Sequence, residues 1–322
     1  MSSEQPVTKR LKTSSDNLVI GTHNGTFHCD EALAVFLLHQ TPKYKDANLV
    51  RTRDPPRLEQ CDIVVDVGAV YNPVSLRFDH HQRGFTETFG HGFETKLSSA
   101  GLIYKHFGRE IISERLNISP QDPTVEKLYL KLYKEFIEAI DGVDNGINQY
   151  PKDITPKYKN STHLSSRVSH LNPAWNESVD AAGVDARFKK ASELAGTEFL
   201  DRLDYYAKAW LPGRGLVEEA IKGPGKIILF EQFAPWKEHL FDIESELSIP
   251  EDDKPYYVLY ADETGGSWRV QAIPVSPESF ESRKPLPEAI PGGVFVHASG
   301  FIGGNKTREG ALELAIKALT LP

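Results

Sequence analysis

Cysteine is nearly absent from this chain: its 322 residues include two, Cys29 and Cys61. Two thiols cannot build a disulfide framework or a four-thiolate zinc site, and their scarcity fits a reducing, intracellular compartment. Also missing is any run of about 18 apolar residues, the length a membrane helix needs, and the first residues lack the apolar core of a secretory signal. No membrane partner is expected. There is no basic excess either. With a formal net charge of −8, the chain as a whole does not coat nucleic acid, so any polyanion must meet a local basic groove or metal ions.

The length suits two domains of ordinary size, each able to bury a core. Residues 1–16 are polar and read as a disordered tail, within which Lys9-Arg10-Leu11-Lys12 is either a nuclear-import patch or plain tail. Short apolar runs then alternate with helical patterns, the arrangement of an α/β protein with a mostly parallel sheet. Strands are expected over 18–22, 47–52, 62–67 and 76–78, with helices from Asp30, over 98–107, and over 124–139, where Leu128, Leu132, Phe136 and Ile140 recur four apart. This first domain spans 17–150. The Pro-, Ser-, Thr- and Asn-rich stretch 151–184 reads as a connection. A smaller α/β domain follows over 185–322. It opens on a helix over 185–210, continues with strands at 226–230, 256–260, 268–273 and 294–297, and closes on a helix over 307–319. Its central hairpin turns at Thr264-Gly265-Gly266.

In a parallel α/β sheet, residues that end successive strands converge even when far apart in sequence. That rule gathers His23, His28 and Asp30 after the first strand, Asp66 after the third, and Asp79, His80 and His81 after the fourth. Either Asp141 or Asp144, near the end of the long helix, can complete the set. Imidazole and carboxylate without thiolate suit Mn²⁺ foremost, then Mg²⁺, Fe²⁺, Co²⁺ or Zn²⁺. About seven ligands exceed the needs of one ion, whereas two ions about 3.5–4 Å apart, bridged by Asp66, would use them all and clamp a phosphoryl displacement. Asp30, Asp66 and Asp144 bring about −3 against +4, which leaves such a centre positive towards phosphate. Cys29 reads as a small core residue, while His91, His106, His163 and His170 read as surface or satisfied polar groups.

Asp79-His80-His81 with an upstream Asp66 and a His/Asp cluster after the first strand resembles the DHH phosphoesterase superfamily, which includes exonucleases, oligonucleotide and cyclic-dinucleotide phosphodiesterases and manganese pyrophosphatases. More closely, the stretch from Gly21 to Glu31, Arg51-Thr52-Arg53-Asp54, Phe78-Asp79-His80-His81-Gln82 and Val143-Asp144-Asn145-Gly146 resemble the melanocyte-proliferating-gene family of 3′-to-5′ RNA exonucleases. The resemblance implies that His23 and His28 ligate one ion, that Asp30, His80 and Asp144 ligate the other, and that Asp66 bridges them. It also implies that His81 faces the substrate phosphate and that Asp79 orients a histidine. The chain departs from the superfamily at Phe27, where an Asp is usual, with His28 following one position later. A Gly-rich basic segment of the second domain, His297 to Lys306 with Gly303 and Gly304, is similar to one that meets substrate in these families, and glycines let backbone N–H groups approach phosphate. Arg51, Arg53 and Arg83 are either further phosphate ligands or ordinary salt-bridge partners.

The expectation is therefore a metal-dependent phosphodiester hydrolase acting on RNA or short oligonucleotides. A small-molecule phosphodiesterase or pyrophosphatase, or a silent metal-binding regulator, would share the centre. The resemblance implies the nucleus, the mitochondrion or both, with the cytoplasm left open. Oligomeric state is open too, a homodimer included.

Overall fold

The computed structural model describes residues 17–223, 225–262, 266–287 and 294–321. The tail 1–16 lies outside them, as do Thr264 and Gly265 of the expected hairpin turn. The chain divides into two units, the first ending at Asp204 and the second beginning at Tyr205.

The first unit carries strands β1 (Val19–Thr22), β2 (Asn48–Arg51), β3 (Ile63–Val65), β4 (Tyr71–Asn72) and β5 (Arg77–Phe78) in one sheet of order β2-β1-β3-β5-β4. The first four in that order run parallel, and β4 closes the edge antiparallel to β5. Ile63, Val64 and Val65 are all buried, the unbroken apolar run of a strand covered on both faces. Gly21 is required where it stands: a Cβ there would lie 2.8 Å from Cys61 Sγ. A separate hairpin of β6 (Thr88–Gly90) and β7 (Phe93–Lys96) follows. Its short strands, turning on Gly90 and Gly92 at positive φ, left no alternation long enough to read in sequence.

The helices of this unit are α1 (Cys29–His39), α2 (Pro55–Glu59), α3 (Ser99–Leu116), α4 (Pro123–Leu132), α5 (Glu138–Asp144), α6 (Leu164–Ser169) and α7 (Ala181–Tyr205). Helix α1 is buried nearly all round, as its composition predicts, and Leu33, Leu37 and Leu38 are fully inside. Each such side chain contributes ~1.5–3 kcal/mol. The expected single helix over 124–139 is instead α4, a π turn over Tyr133–Ile137, and α5, and it runs on to Asp144. In a plain α-helix a four-residue spacing drifts by about 40° per step; the wider π turn offsets that drift and keeps Leu128, Leu132, Phe136 and Ile140 on the buried side.

Helix α7 corrects the domain expectation. It was to open the second domain, yet its apolar face packs in the first unit: Phe188 meets Phe27 edge-on at 5.7 Å, and Phe199 meets Tyr104 at 5.9 Å and Phe136 at 6.0 Å. Gly196 lets it approach α1, since a Cβ there would overlap the ring of Phe36. The stretch 151–184 is therefore a loop within the first unit and carries α6.

The second unit holds α8 (Leu211–Ala220), β8 (Ile227–Leu229), α9 (Trp236–Glu246), β9 (Tyr257–Ala261), β10 (Trp268–Ala272), β11 (Phe295–Val296), β12 (Ile302–Asn305) and α10 (Arg308–Thr320). Its sheet has the order β11-β12-β10-β9-β8, with only the β8–β9 pair parallel. Tyr257, Leu259, Val270 and Ala272 pack against Ala311, Leu314 and Ala315 of α10. On the other face Ile228 and Val258 meet Val217 of α8 and Trp236, Leu240 and Ile243 of α9. The period-2 alternation along β9 thus supplies both layers. The fold class is the expected mixed α/β one.

Candidate metal centre

The carboxyl ends of β1, β3 and β5 deliver three groups to one place. Thr22 hands the chain to His23, Val65 to Asp66, and Phe78 to Asp79, His80 and His81. Asp66 sits at φ 58°, a left-handed conformation that Asp tolerates better than most residues. Its two oxygens face different partners. Oδ2 lies 3.2 Å from His23 Nε2, while Oδ1 lies 3.2 Å from His80 Nε2 and accepts the Ser99 hydroxyl at 2.9 Å. His80 Nε2 is also 3.2 Å from Asp144 Oδ2 and 3.8 Å from Asp30 Oδ2.

Three donor sets result, each with candidate ligand atoms within 4.8 Å of one another: His23, His28, Glu31 and Asp66; Asp66, His80 and His81; and His28, Asp30 and Asp144. The six sequence-named residues His23, His28, Asp30, Asp66, His80 and Asp144 are brought together. Asp141 is not among them. It is fully buried and accepts hydrogen bonds from Ser98 N–H at 2.9 Å, Ser98 Oγ at 2.6 Å, Gly101 N–H at 3.0 Å and Tyr133 Oη at 3.2 Å. Those bonds satisfy the first turn of α3, and Gly101 leaves the space, because a Cβ there would lie 2.2 Å from Asp141 Oδ2.

Asp79 supports His81. Its Oδ1 is 2.7 Å from His81 Nδ1 and its Oδ2 accepts the Ala69 N–H at 2.6 Å, leaving the His81 side chain 61% exposed. Asn172 accepts the Phe27 N–H at 3.0 Å and donates to the Phe27 carbonyl at 2.8 Å, fixing the loop between His23 and His28. The three arginines, read either as phosphate ligands or as salt-bridge partners, sit in different surroundings. Arg51 is a clamp: it bonds Gly25 O at 2.8 Å and Asp185 at 3.0 Å, and stacks 4.5 Å from the Phe188 ring. Arg53 bonds the Asn24 carbonyl and reaches His23 Nδ1 at 3.3 Å, which shapes the same loop. Arg83 is exposed. In the second unit Gly303 and Gly304 are not a loop but part of β12, hydrogen-bonded between β11 and β10; a Cβ on Gly304 would lie 2.6 Å from Phe295 and 2.9 Å from Arg269. Their smallness therefore serves sheet packing. His297, bonded to Ser299 at 3.0 Å, and Lys306 are exposed.

Sequence reasoning missed several residues. Glu31 accepts the His28 N–H at 2.8 Å and lies 3.1 Å from His23 Nε2; a Glu at the third position of a helix reads as a capping residue, which hid its second contact. A cavity of 580 Å³ in the first unit is lined by His28, Asp30, Asp66, His80, His81 and Asp144 of the donor residues and also by Lys96, His163, Ser165 and Ser166. His163, read as a surface or satisfied polar group, is satisfied by Ser166 Oγ at 3.0 Å and also lines that wall, a place the sequence did not give it. Cys29 borders it as well, but burial pushes its thiol up to about 12, so it stays protonated, consistent with the reading as a small core residue.

The electrostatics are those of crowded anions. Burial, then Asp66, Asp144 and Glu31, push Asp30 well above the ordinary carboxylate range. Burial raises Asp144 too, against the pull of His80. Burial also acts on Asp66, but the hydrogen bonds of His23 and His80 prevail and hold it low. His23 is lifted to about 10, because Asp66 and Glu31 outweigh its burial. Among the described residues, Asp30 Oδ1 and His80 Nδ1 are buried without hydrogen-bond partners. Such groups cost free energy unless a cation satisfies them, and a nitrogen–oxygen donor set without thiolate fits hard or borderline divalent ions. Glu31 changes the expected charge. Four carboxylates now match two divalent ions, so the positive potential that draws phosphate falls to His81, raised by its bond to Asp79, and to Lys96, which is in no ion pair among the described residues.

A family model named MYG1_exonuc, described as "Uncharacterised protein family (UPF0160)", matches residues 19–319. The chain is 51% identical to a "MYG1 protein" of Dictyostelium discoideum over 323 residues, covering 94% of this chain and 97% of that one. It is 51% identical to a "MYG1 exonuclease" of Homo sapiens over 322 residues, covering 92% and 84%. Among solved structures, RecJ in complex with Mn²⁺ from Thermus thermophilus matches at TM-score 0.28 and 13% identity, covering 94% of this chain and 52% of that one. The pGpG-specific phosphodiesterase PggH of Vibrio cholerae matches at 0.27 and 15%, covering 94% and 97%. Neither structural likeness is close enough to carry an inference.

Proposed function

Because the chain belongs to the MYG1_exonuc family, whose human and mouse relatives are named exonucleases, we propose that it is a metal-dependent phosphodiester hydrolase, a 3′-to-5′ RNA exonuclease built on two divalent ions, Mn²⁺ foremost. The observation that carries this reading is Asp66, whose two oxygens each lie 3.2 Å from a different histidine, His23 and His80, and so join two donor sets. His23, His28 and Glu31 would hold one ion, Asp30, His80 and Asp144 the other, with Asp66 common to both. Ions bound there would neutralise phosphate charge and make a water acidic enough to attack.

The chain's own groups do the rest. Asp79 fixes the ring of His81 so that its Nε2 can donate to a phosphate oxygen. Lys96 supplies the fixed positive charge that the balanced centre lacks. His163, Ser165 and Ser166 offer hydroxyl and imidazole groups of the kind that read ribose hydroxyls. Product analysis after incubation with Mn²⁺, with 3′- and 5′-labelled RNA, dinucleotides and pyrophosphate in parallel, tests the assignment. Stepwise release of mononucleotides from the 3′ end is expected; hydrolysis of none of these substrates by pure protein would end it.

A further inference from the structure

Between α5 and α6 the chain runs through Tyr150-Pro151-Lys152-Asp153-Ile154-Thr155-Pro156-Lys157-Tyr158-Lys159-Asn160, and every one of these residues is exposed. Three lysines stand against a single aspartate there, in a chain whose net charge is −8. None of the three is in an ion pair among the described residues. Tyr150 and Tyr158 are 50% and 79% exposed, with Ile154 between them at 53%. An ordinary solvated connection would explain the lysines but not rings that find no core.

The chain lines the cavity on either side of this segment, five residues before it and three after it. Asn145 before it and His163 after it line the wall. The start is pinned by the Ile147 N–H on the Gly142 carbonyl at 2.8 Å, and the end by the contact of His163 with Ser166. A strand leaving the cavity on that side meets lysines spaced between aromatic rings, the combination that binds single-stranded nucleic acid: cations pair with phosphates while bases stack on the rings.

We propose that residues 150–160 form the track for the single strand leading away from the scissile end, with Lys152, Lys157 and Lys159 on phosphates and Tyr150 and Tyr158 stacked on bases. The proposal rests on the nuclease reading. It identifies the substrate as an oligonucleotide longer than a dinucleotide, and as flexible enough to lie along a loop.

The test measures binding of the full chain to a fluorescent single-stranded RNA of about 12 nucleotides in EDTA, so that affinity is read without hydrolysis. In the triple variant Lys152→Gln, Lys157→Gln, Lys159→Gln, affinity should fall about 10-fold or more, and the slope of log K against log salt should shrink by about 2. Tyr158→Ala should cost about 10-fold with the slope unchanged, and arginine at the three lysine positions should keep near-native affinity. Hydrolysis of a dinucleotide should be unaffected in all of them. Unchanged affinity and slope in the triple variant overturns the track, as does a loss seen only with anionic lipid vesicles or an acidic protein. Wild-type protein that binds RNA through this segment yet hydrolyses no phosphodiester would end the nuclease reading and leave the track standing.

Discussion

Asp66 belongs to two of the three donor sets, so Asp66→Ala should lower hydrolysis at least about 10²-fold while leaving the fold intact by circular dichroism. Near-normal turnover would reject the centre. Lys96→Ala should reduce kcat/KM about 10-fold, with partial rescue by Lys96→Arg, since the four carboxylates leave the phosphate with few other cations. Asp141 should matter for stability instead. Removing its carboxylate strands the donors of Ser98 and Gly101 in the core, so Asp141→Ala should cost about 3 kcal/mol in a denaturant titration, and Asp141→Asn less. Burial lifts the Asp141 pKa to about 7, although four hydrogen bonds favour its charge. A carboxyl raised on folding adds stability below its unfolded pKa, and that contribution is lost as pH rises through 7. Measured in EDTA, the stability of the wild type relative to Asp141→Asn should therefore fall between about pH 4 and 7.5; a flat difference would contradict the assignment.

Among elements, the π turn over Tyr133–Ile137 decides where α5 points. Inserting one alanine after the exposed Lys134 adds a residue that the π turn, already holding one extra, does not absorb, and should rotate everything beyond by about 100°. The variant should keep its helix content yet lose bound metal at the Asp144 side, as read by metal analysis after dialysis. This turn is also why the sequence left Asp141 and Asp144 open: three residues apart, they exchange places with one residue of register. His23, His28, Asp30 and His80 were legible, because strand ends in a parallel sheet converge whatever the loops do. Glu31 and Lys96 were not, being a helix-capping Glu and a strand-end Lys, residue types that are usually structural. Strand β12 hid behind its glycines, which lack the β-branched side chains that mark a strand.

At the scale of the whole molecule, each unit has its own core, and the donor residues all belong to the first. Mn²⁺ at about 100 times its dissociation constant should add about 2.7 kcal/mol to that unit. Calorimetry should show a first-unit transition that rises with Mn²⁺, falls with EDTA and is insensitive to both in Asp66→Ala, beside a second that moves under none of these. The boundary expected at 151–184 misplaced α7, because a change of composition marks exposure rather than a domain edge. What ties α7 to the first unit, the seating of Phe188, Phe199 and Gly196, involves partners far away in sequence.

The grip of Asn172 on Phe27 spans 145 residues. During synthesis every proposed ligand, from His23 to Asp144, emerges before the side chain that steadies the loop between the first two. A nascent chain, or a fragment ending at Asp144, thus holds the full donor set without the brace. A fragment ending at Asp144 should therefore hold the loop between His23 and His28 less firmly than one that runs past Asn172, and retain less metal after dialysis.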